Sequence, residues 1–263
     1  MKNLAILFSV IFTLMVAFYF IVLKPEKYTQ NDVYDEIMQR GTIRVGINTD
    51  SKPFGFVNKD GFIQGYDADL AKYLAQYLLN SQYKVEFIPV TPSNRIMKVS
   101  TGEVDMVIAT MTVTPSREEI IDFSIPYDTA GQALLVKSTS KITSVADLGG
   151  QNVGVVWGTT AEKNMLTLAP TANVIGFKTY NDAYNALKSG YINAITSDDT
   201  ILSRYALEDK NVKLLPKRYS REPYGIGFQK GKSSAKLREK VNFAIKDMNQ
   251  KNVIPRLRKK WLS

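Results

Sequence analysis

The sequence predicts an α/β fold of two lobes, each built on a mostly parallel sheet, joined by a two-strand hinge and preceded by an N-terminal hydrophobic helix. Three observations carry this. From Gly41 onward, short β-rich runs alternate with amphipathic helical stretches, the pattern of helices packed on a parallel sheet. The alternation comes in two series, which read as two lobes. Two strand-like runs, 132–137 and 224–229, bracket the second series, so the chain passes between lobes twice, and a two-strand hinge permits closure over a cleft.

The elements follow in chain order. From Leu4 to Leu23 there is no charged residue, a run of 20 residues that at ~1.5 Å per residue spans the ~30 Å of a bilayer's hydrocarbon core. It ends in Phe18-Tyr19-Phe20-Ile21-Val22-Leu23 rather than in small residues, which favours an uncleaved membrane anchor over a removed signal peptide. The first 24 residues are thus the anchor or signal segment, and 25–40 a polar linker leading into a short helix. Thr42 to Ile47 reads as a strand, Pro53 to Gly61 as a turn-bearing hairpin, and Asp67 to Leu79 as a helix whose Leu70, Tyr73, Leu74, Tyr77 and Leu78 form one apolar stripe. Strands at 83–90 and 104–110 surround a helix near 94–101. The second series has strands at 133–137, 152–157, 173–177 and 191–196, with helices near 161–168, 181–189 and 200–208. A strand at 224–228 and helices at 234–249 and 255–261 complete the chain. Lobe one is therefore expected from 41–131 plus 225–263, and lobe two from 132–224.

Composition narrows the function. The chain has neither cysteine nor histidine, which removes zinc sites of the usual kind, thiol nucleophiles and every Ser-His or Cys-His catalytic arrangement. No cofactor or metal is expected. The net charge of +9 is a C-terminal property: from Lys230 onward eleven lysines and arginines face only Glu239 and Asp247. A basic tail without interleaved aromatics reads as a solvated helix face, with attraction to anionic lipid as the sharper alternative and nucleic acid not expected. The glycine-rich stretch Gly225 to Ser233 is no phosphate loop, because the glycine needed five residues before Gly231 is Ile226. Asp67 and Asp69, two apart at a helix start, read as N-terminal capping rather than paired acid/base chemistry.

Several segments, in this order, are specific: Arg44-Val-Gly-Ile47 with Pro53-Phe54; Gly65-Tyr-Asp-Ala-Asp-Leu70; Asp105 to Arg117; Asp122-Phe-Ser-Ile-Pro-Tyr127; Asp147-Leu-Gly-Gly150; Val153 to Thr160; Ser197-Asp-Asp199; and Tyr224-Gly-Ile-Gly227. Residues 41–263 on this basis resemble the extracytoplasmic solute-binding proteins, family 3, of ATP-driven polar-amino-acid transporters. Ala68 departs from the larger aliphatic residue usual in the signature. The resemblance implies the type II periplasmic-binding-protein-like fold, no enzymatic activity, and a place in the periplasm or on the outer face of the cell membrane. The implied partners are an amino acid, an ABC transporter permease and, through residues 4–23, the membrane, with the protein a monomer.

An amino-acid receptor needs a cationic fork, backbone donors and a carboxylate, all held dry. Arg117, in the loop Thr112-x-Thr114-Pro115-Ser116-Arg117, can offer a bidentate guanidinium. By the resemblance it holds the ligand α-carboxylate, the residue matching Thr112 adds hydrogen bonds, and that matching Thr110 gives a backbone carbonyl to the amine. Between a strand and a helix, Gly158 to Glu162 can receive an anion. Thr159 and Glu162 there make a plausible capping box, and Thr160 is the better candidate for a carboxylate contact. Asp198 matches the carboxylate that meets the ligand ammonium, with Asp199 its rival. Arg95 resembles the arginine that holds a side-chain carboxylate in glutamate- and aspartate-binding relatives, which favours an acidic ligand. Yet Asn48 stands where several of those relatives carry Lys or Arg. The alternatives are a glutamine-binding protein, a sensor ectodomain and, further off, a cyclohexadienyl dehydratase-like lyase.

Overall fold

The computed structural model describes residues 32–262, so the apolar run 4–23 and its expected role as anchor lie outside the described residues. No helix among the described residues is long and apolar enough to cross a membrane. Helix α1 (Val33–Arg40) opens the described chain inside the segment read as a linker. The Asp32 side chain accepts from the Tyr34 N–H, and Gly41 closes the helix in the left-handed conformation, φ 73°, as glycine does without steric cost. Ile37 is fully buried. Asp105 accepts from the side chains of Arg40 and Arg44 and from the Arg44 N–H, fastening α1 to the first lobe.

Strands β1 (Ile43–Asn48), β2 (Asp50–Ser51), β3 (Gly55–Val57) and β4 (Ile63–Gln64) precede helix α2 (Tyr66–Leu79). Then come β5 (Val85–Val90), α3 (Arg95–Ser100), β6 (Met106–Val107), α4 (Pro115–Glu118), β7 (Ile121–Phe123) and β8 (Asp128–Ala130). The second lobe has β9 (Gln132–Lys137), β10 (Asn152–Val156), α5 (Thr160–Leu168), β11 (Asn173–Phe177), α6 (Tyr180–Ser189), β12 (Ala194–Asp198), α7 (Asp199–Glu208) and β13 (Val212–Leu214). The chain ends through β14 (Glu222–Tyr224), β15 (Gly227–Gln229), α8 (Ala235–Gln250) and α9 (Val253–Leu262).

The two sheets have one plan. In the first, ordered β5-β1-β6-β15-β7, β1 is parallel to β5 and β6 while β15 runs against β6 and β7. In the second, ordered β11-β10-β12-β9-β13, β10 is parallel to β11 and β12 while β9 runs against β12 and β13. The antiparallel strands β9 and β15 are those the chain forms on arriving from the other lobe, without the crossover helix that parallel pairing needs. The arrival passes through β8 and β14, paired with each other as Glu222 with Ala130 and Tyr224 with Asp128. These short strands are the hinge; the run 132–137 lies just beyond it, and the run 224–229 begins within it at Tyr224. The expected single strand 224–228 is in fact two strands in different sheets, because Tyr224 pairs with Asp128 and Gly227 with Phe123.

Ile43, Val45 and Ile47 of β1 are fully buried, as parallel strands covered on both faces are. Leu70, Leu74 and Leu78 of α2 lie in the same core, while Tyr73 and Tyr77 at the flanks of that stripe are exposed. Six of the eleven cations in the basic C-terminal segment are in ion pairs. Lys230 and Arg238 pair with Asp122, Lys236 with Asp35, Lys251 with Asp247, Arg258 with Asp128, and Lys260 with Asp69.

Candidate functional site

In open α/β sheets, ligands bind beyond the carboxyl ends of the parallel strands, and here those ends face one another across the cleft. Asn48 ends β1; Arg95 follows β5 at the start of α3; residues 108–112 follow β6. From the other lobe come residues 157–160 after β10, and Asp198 at the end of β12.

Arg117 points into the cleft. Thr114 caps α4, Pro115 occupies its first turn, and the guanidinium folds back so that Nη1 donates to the Thr112 carbonyl at 2.7 Å. Its Nη2 donates across the lobes to the Gly158 carbonyl at 2.9 Å. Burial, and then the nearby Arg95, push its pKa down to about 9. Arg95 is 2% exposed, so the ordinary surface-helix reading is excluded. Its Nη1 donates to the Ala109 carbonyl, and its Nε has no hydrogen-bond partner among the described residues. Burial lowers its pKa, while Tyr180 and Asp198 act the other way.

Asn48, 1% exposed, converges on the same carbonyl: Nδ2 donates to Ala109 O at 3.5 Å, and Oδ1 is left without a partner among the described residues. Thr110 takes a left-handed φ of 46°, and its N–H donates to Asp67 Oδ2 at 3.0 Å. Thr112 is bridged to the hinge residue Tyr224.

On the second lobe, Asp198 is buried and accepts from the Tyr224 hydroxyl. Burial pushes its pKa up to about 7 against the opposing pull of that hydrogen bond, with Glu222 adding to the rise. Asp199, its expected rival, is committed elsewhere: it accepts from the Gly131 N–H at 2.9 Å and pairs with Arg218 at 2.8 Å. Thr160 is the half-buried first residue of α5. The expected capping box fails. The Thr159 hydroxyl donates to the Val156 carbonyl at 2.7 Å instead, and Glu162 accepts from the Gly158 N–H at 2.9 Å. At Gly158 φ is 79° and an added Cβ would lie 2.6 Å from the Pro92 carbonyl of the first lobe, so only glycine fits this close approach.

The six expected site residues thus fall at one cleft. Asp67, expected as a cap, does not cap α2. Gly65 stands before that helix with φ 130°, where an added Cβ would meet the Phe54 carbonyl at 2.1 Å. The Tyr66 and Asp67 N–H groups donate to the carbonyls of Pro53 and Phe54, each at 2.9 Å. Pinned there, the Asp67 side chain turns inward and also accepts from the Tyr127 hydroxyl at 3.0 Å. Burial pushes its pKa up to about 7. Asp69 instead accepts from Lys260 at 2.7 Å and from Trp261 Nε1 at 2.9 Å. A groove of about 360 Å³ between α7, α9 and Pro53 lies apart from this cluster. Its Lys52, Arg204 and Arg218 are already paired with Glu208 or Asp199.

Residues 43–263 match the sequence profile of the bacterial extracellular solute-binding proteins, family 3. The chain belongs to this family. Among its relatives, the ABC transporter glutamine-binding protein of Bacillus subtilis is 40% identical over 241 residues, 91% of this chain and 88% of that protein. The glutamine-binding protein of Geobacillus stearothermophilus is 42% identical over 198 residues, 74% of this chain and 76% of that one. Among solved structures, an ancestral amino acid-binding protein, a precursor of cyclohexadienyl dehydratase, superposes with TM-score 0.82 at 38% identity, covering 88% of this chain and all of the other. Within this chain, the bond from Arg117 to Gly158 joins the two lobes.

Proposed function

We propose that this chain captures glutamine outside the membrane and delivers it to an ABC transporter. The observation that carries the choice of ligand is the pair of orphaned polar atoms beside the Ala109 carbonyl. Asn48 Oδ1 is an acceptor and Arg95 Nε a donor, and a carboxamide presents one donor group and one acceptor. With Asn48 in this orientation a side-chain carboxylate would set lone pairs against Oδ1, or require the amide to turn over and give up its bond to the Ala109 carbonyl. The expectation of an acidic ligand rested on Arg95 needing an anion. In the fold Asp198 and Asp67 act on the same guanidinium, so a ligand anion is not its only source of counter-charge. The two glutamine-binding relatives support the same reading.

In this reading Arg117 and Thr112 hold the α-carboxylate, with Thr160 closing on it from the second lobe. Asp198 and the Thr110 carbonyl receive the ammonium. Closure excludes water and strengthens each charged contact. Calorimetric titration with glutamine, glutamate, aspartate and arginine tests the proposal. Glutamine is expected to bind at least ~tenfold tighter than glutamate, and equal or tighter binding of glutamate overturns the choice of ligand.

A further inference from the structure

We infer that Asp67 is a positioning residue for ligand capture: its carboxylate tethers the Thr110 N–H and thereby holds that backbone in the turn that presents the Thr110 carbonyl to the ligand ammonium. The inference rests on the ammonium role given to Thr110 above.

A β-branched residue at φ 46° is a backbone outlier that persists only where its surroundings hold it. The tether is Asp67 Oδ2, 3.0 Å from the Thr110 N–H, on a fully buried side chain. Asp67 is itself fixed by the Tyr127 hydroxyl on its other oxygen and by the bonds from Tyr66 and Asp67 N–H to Pro53 and Phe54. The carbonyls around Thr110 are already used. Ala109 accepts from Arg95, Met111 from the Gly225 N–H, and Thr112 from Arg117. None of the hydrogen bonds among the described residues ends on the Thr110 carbonyl. The turn therefore sets apart one acceptor in a stretch of four residues, and a ligand ammonium supplies the donor it lacks.

The test is a cycle between Asp67 and Thr110, read by calorimetric titration of the full chain with glutamine. Asp67→Ala, and the milder Asp67→Ser, which is too short to reach the Thr110 N–H, each withdraw the tether. Either is expected to weaken binding by about ten- to a hundredfold, as misplacing one buried acceptor of a charged ligand group does. Adding Thr110→Gly lets the backbone enter the left-handed region without help. It is expected to bring affinity back to within about threefold of the Thr110→Gly single variant. A cooperative melt confirms that each variant is folded. Equal losses in both backgrounds, or no loss on removing the carboxylate, overturn the role of Asp67 while wild-type binding still stands. If another α-amino acid binds tighter than glutamine, the same cycle is read with it, since the ammonium is common to all. If none binds, the function and the tether fall together.

Discussion

Arg117 and Asp198 respond to the same cleft in opposite senses, the guanidinium pushed down to about 9 and the carboxyl up to about 7. A zwitterion reverses both shifts, since its carboxylate favours the charged arginine and its ammonium the charged aspartate. Under the proposed function, binding below pH 7 then draws a proton from Asp198. Affinity is expected to fall as the pH drops from 8 through 7 toward 5.5, by up to ~tenfold per unit, and titration in buffers of different ionisation enthalpy will show the released proton. A flat profile over that range removes Asp198 from the ammonium contact. In the ligand-free chain the sign for stability is the reverse. The raised carboxyls of Asp67 and Asp198 contribute fully below their unfolded value near 4, and that contribution is lost as the pH rises through about 7. Replacing Arg117 with Lys keeps the charge but loses the fork that spans Thr112 and Gly158. It is expected to weaken binding by at least ~100-fold while leaving the melting temperature nearly unchanged. The sequence pointed to Arg117, Asp198, Thr110 and Thr112 through a pattern of motifs. Asp67 was hidden because two acids at a helix start look like caps, and only the packing of α2 shows that one of them turns inward.

Among the elements, the helices were the most legible. Those expected from 67, 181 and 200 begin at Tyr66, Tyr180 and Asp199, because apolar periodicity and caps such as Thr179 on α6 mark them locally. The short strands β7, β8, β13 and β14 were not read, since three residues carry no period. Part of the basic charge on the C-terminal helices is explained by the fold. Their cations brace α8 and α9 against Asp35, Asp69, Asp122 and Asp128, an arrangement no one-dimensional charge count reveals. At the turn before α5, Gly158→Ala would combine a left-handed φ with a clash against Pro92. It is expected to reduce affinity by about tenfold or more by holding the lobes apart, with small-angle scattering of the saturated protein showing a larger radius of gyration than wild type. An unchanged radius with full affinity would mean that the closed contact is not needed.

For the molecule as a whole, the two lobes are also joined away from the candidate site. Lys52 reaches Glu208 at 2.5 Å, and Asp50 accepts from the Tyr180 N–H at 3.2 Å, each joining one lobe to the other. The first pair is exposed, with side chains 39% and 45% accessible, so its effect is small. Glu208→Gln is expected to raise Kd by no more than about threefold, and the difference from wild type is expected to vanish near ~0.5 M salt. A larger, salt-independent loss would give that pair a structural part beyond charge. The paired strands β8 and β14 set how such closing can proceed. Two chains lying side by side resist twisting far more than a single thread would, so the halves of the molecule are expected to swing like a door on two pins. Spin labels placed one on each sheet are therefore expected to report a single distance coordinate that shortens with ligand, without the broad scatter of freely tumbling bodies.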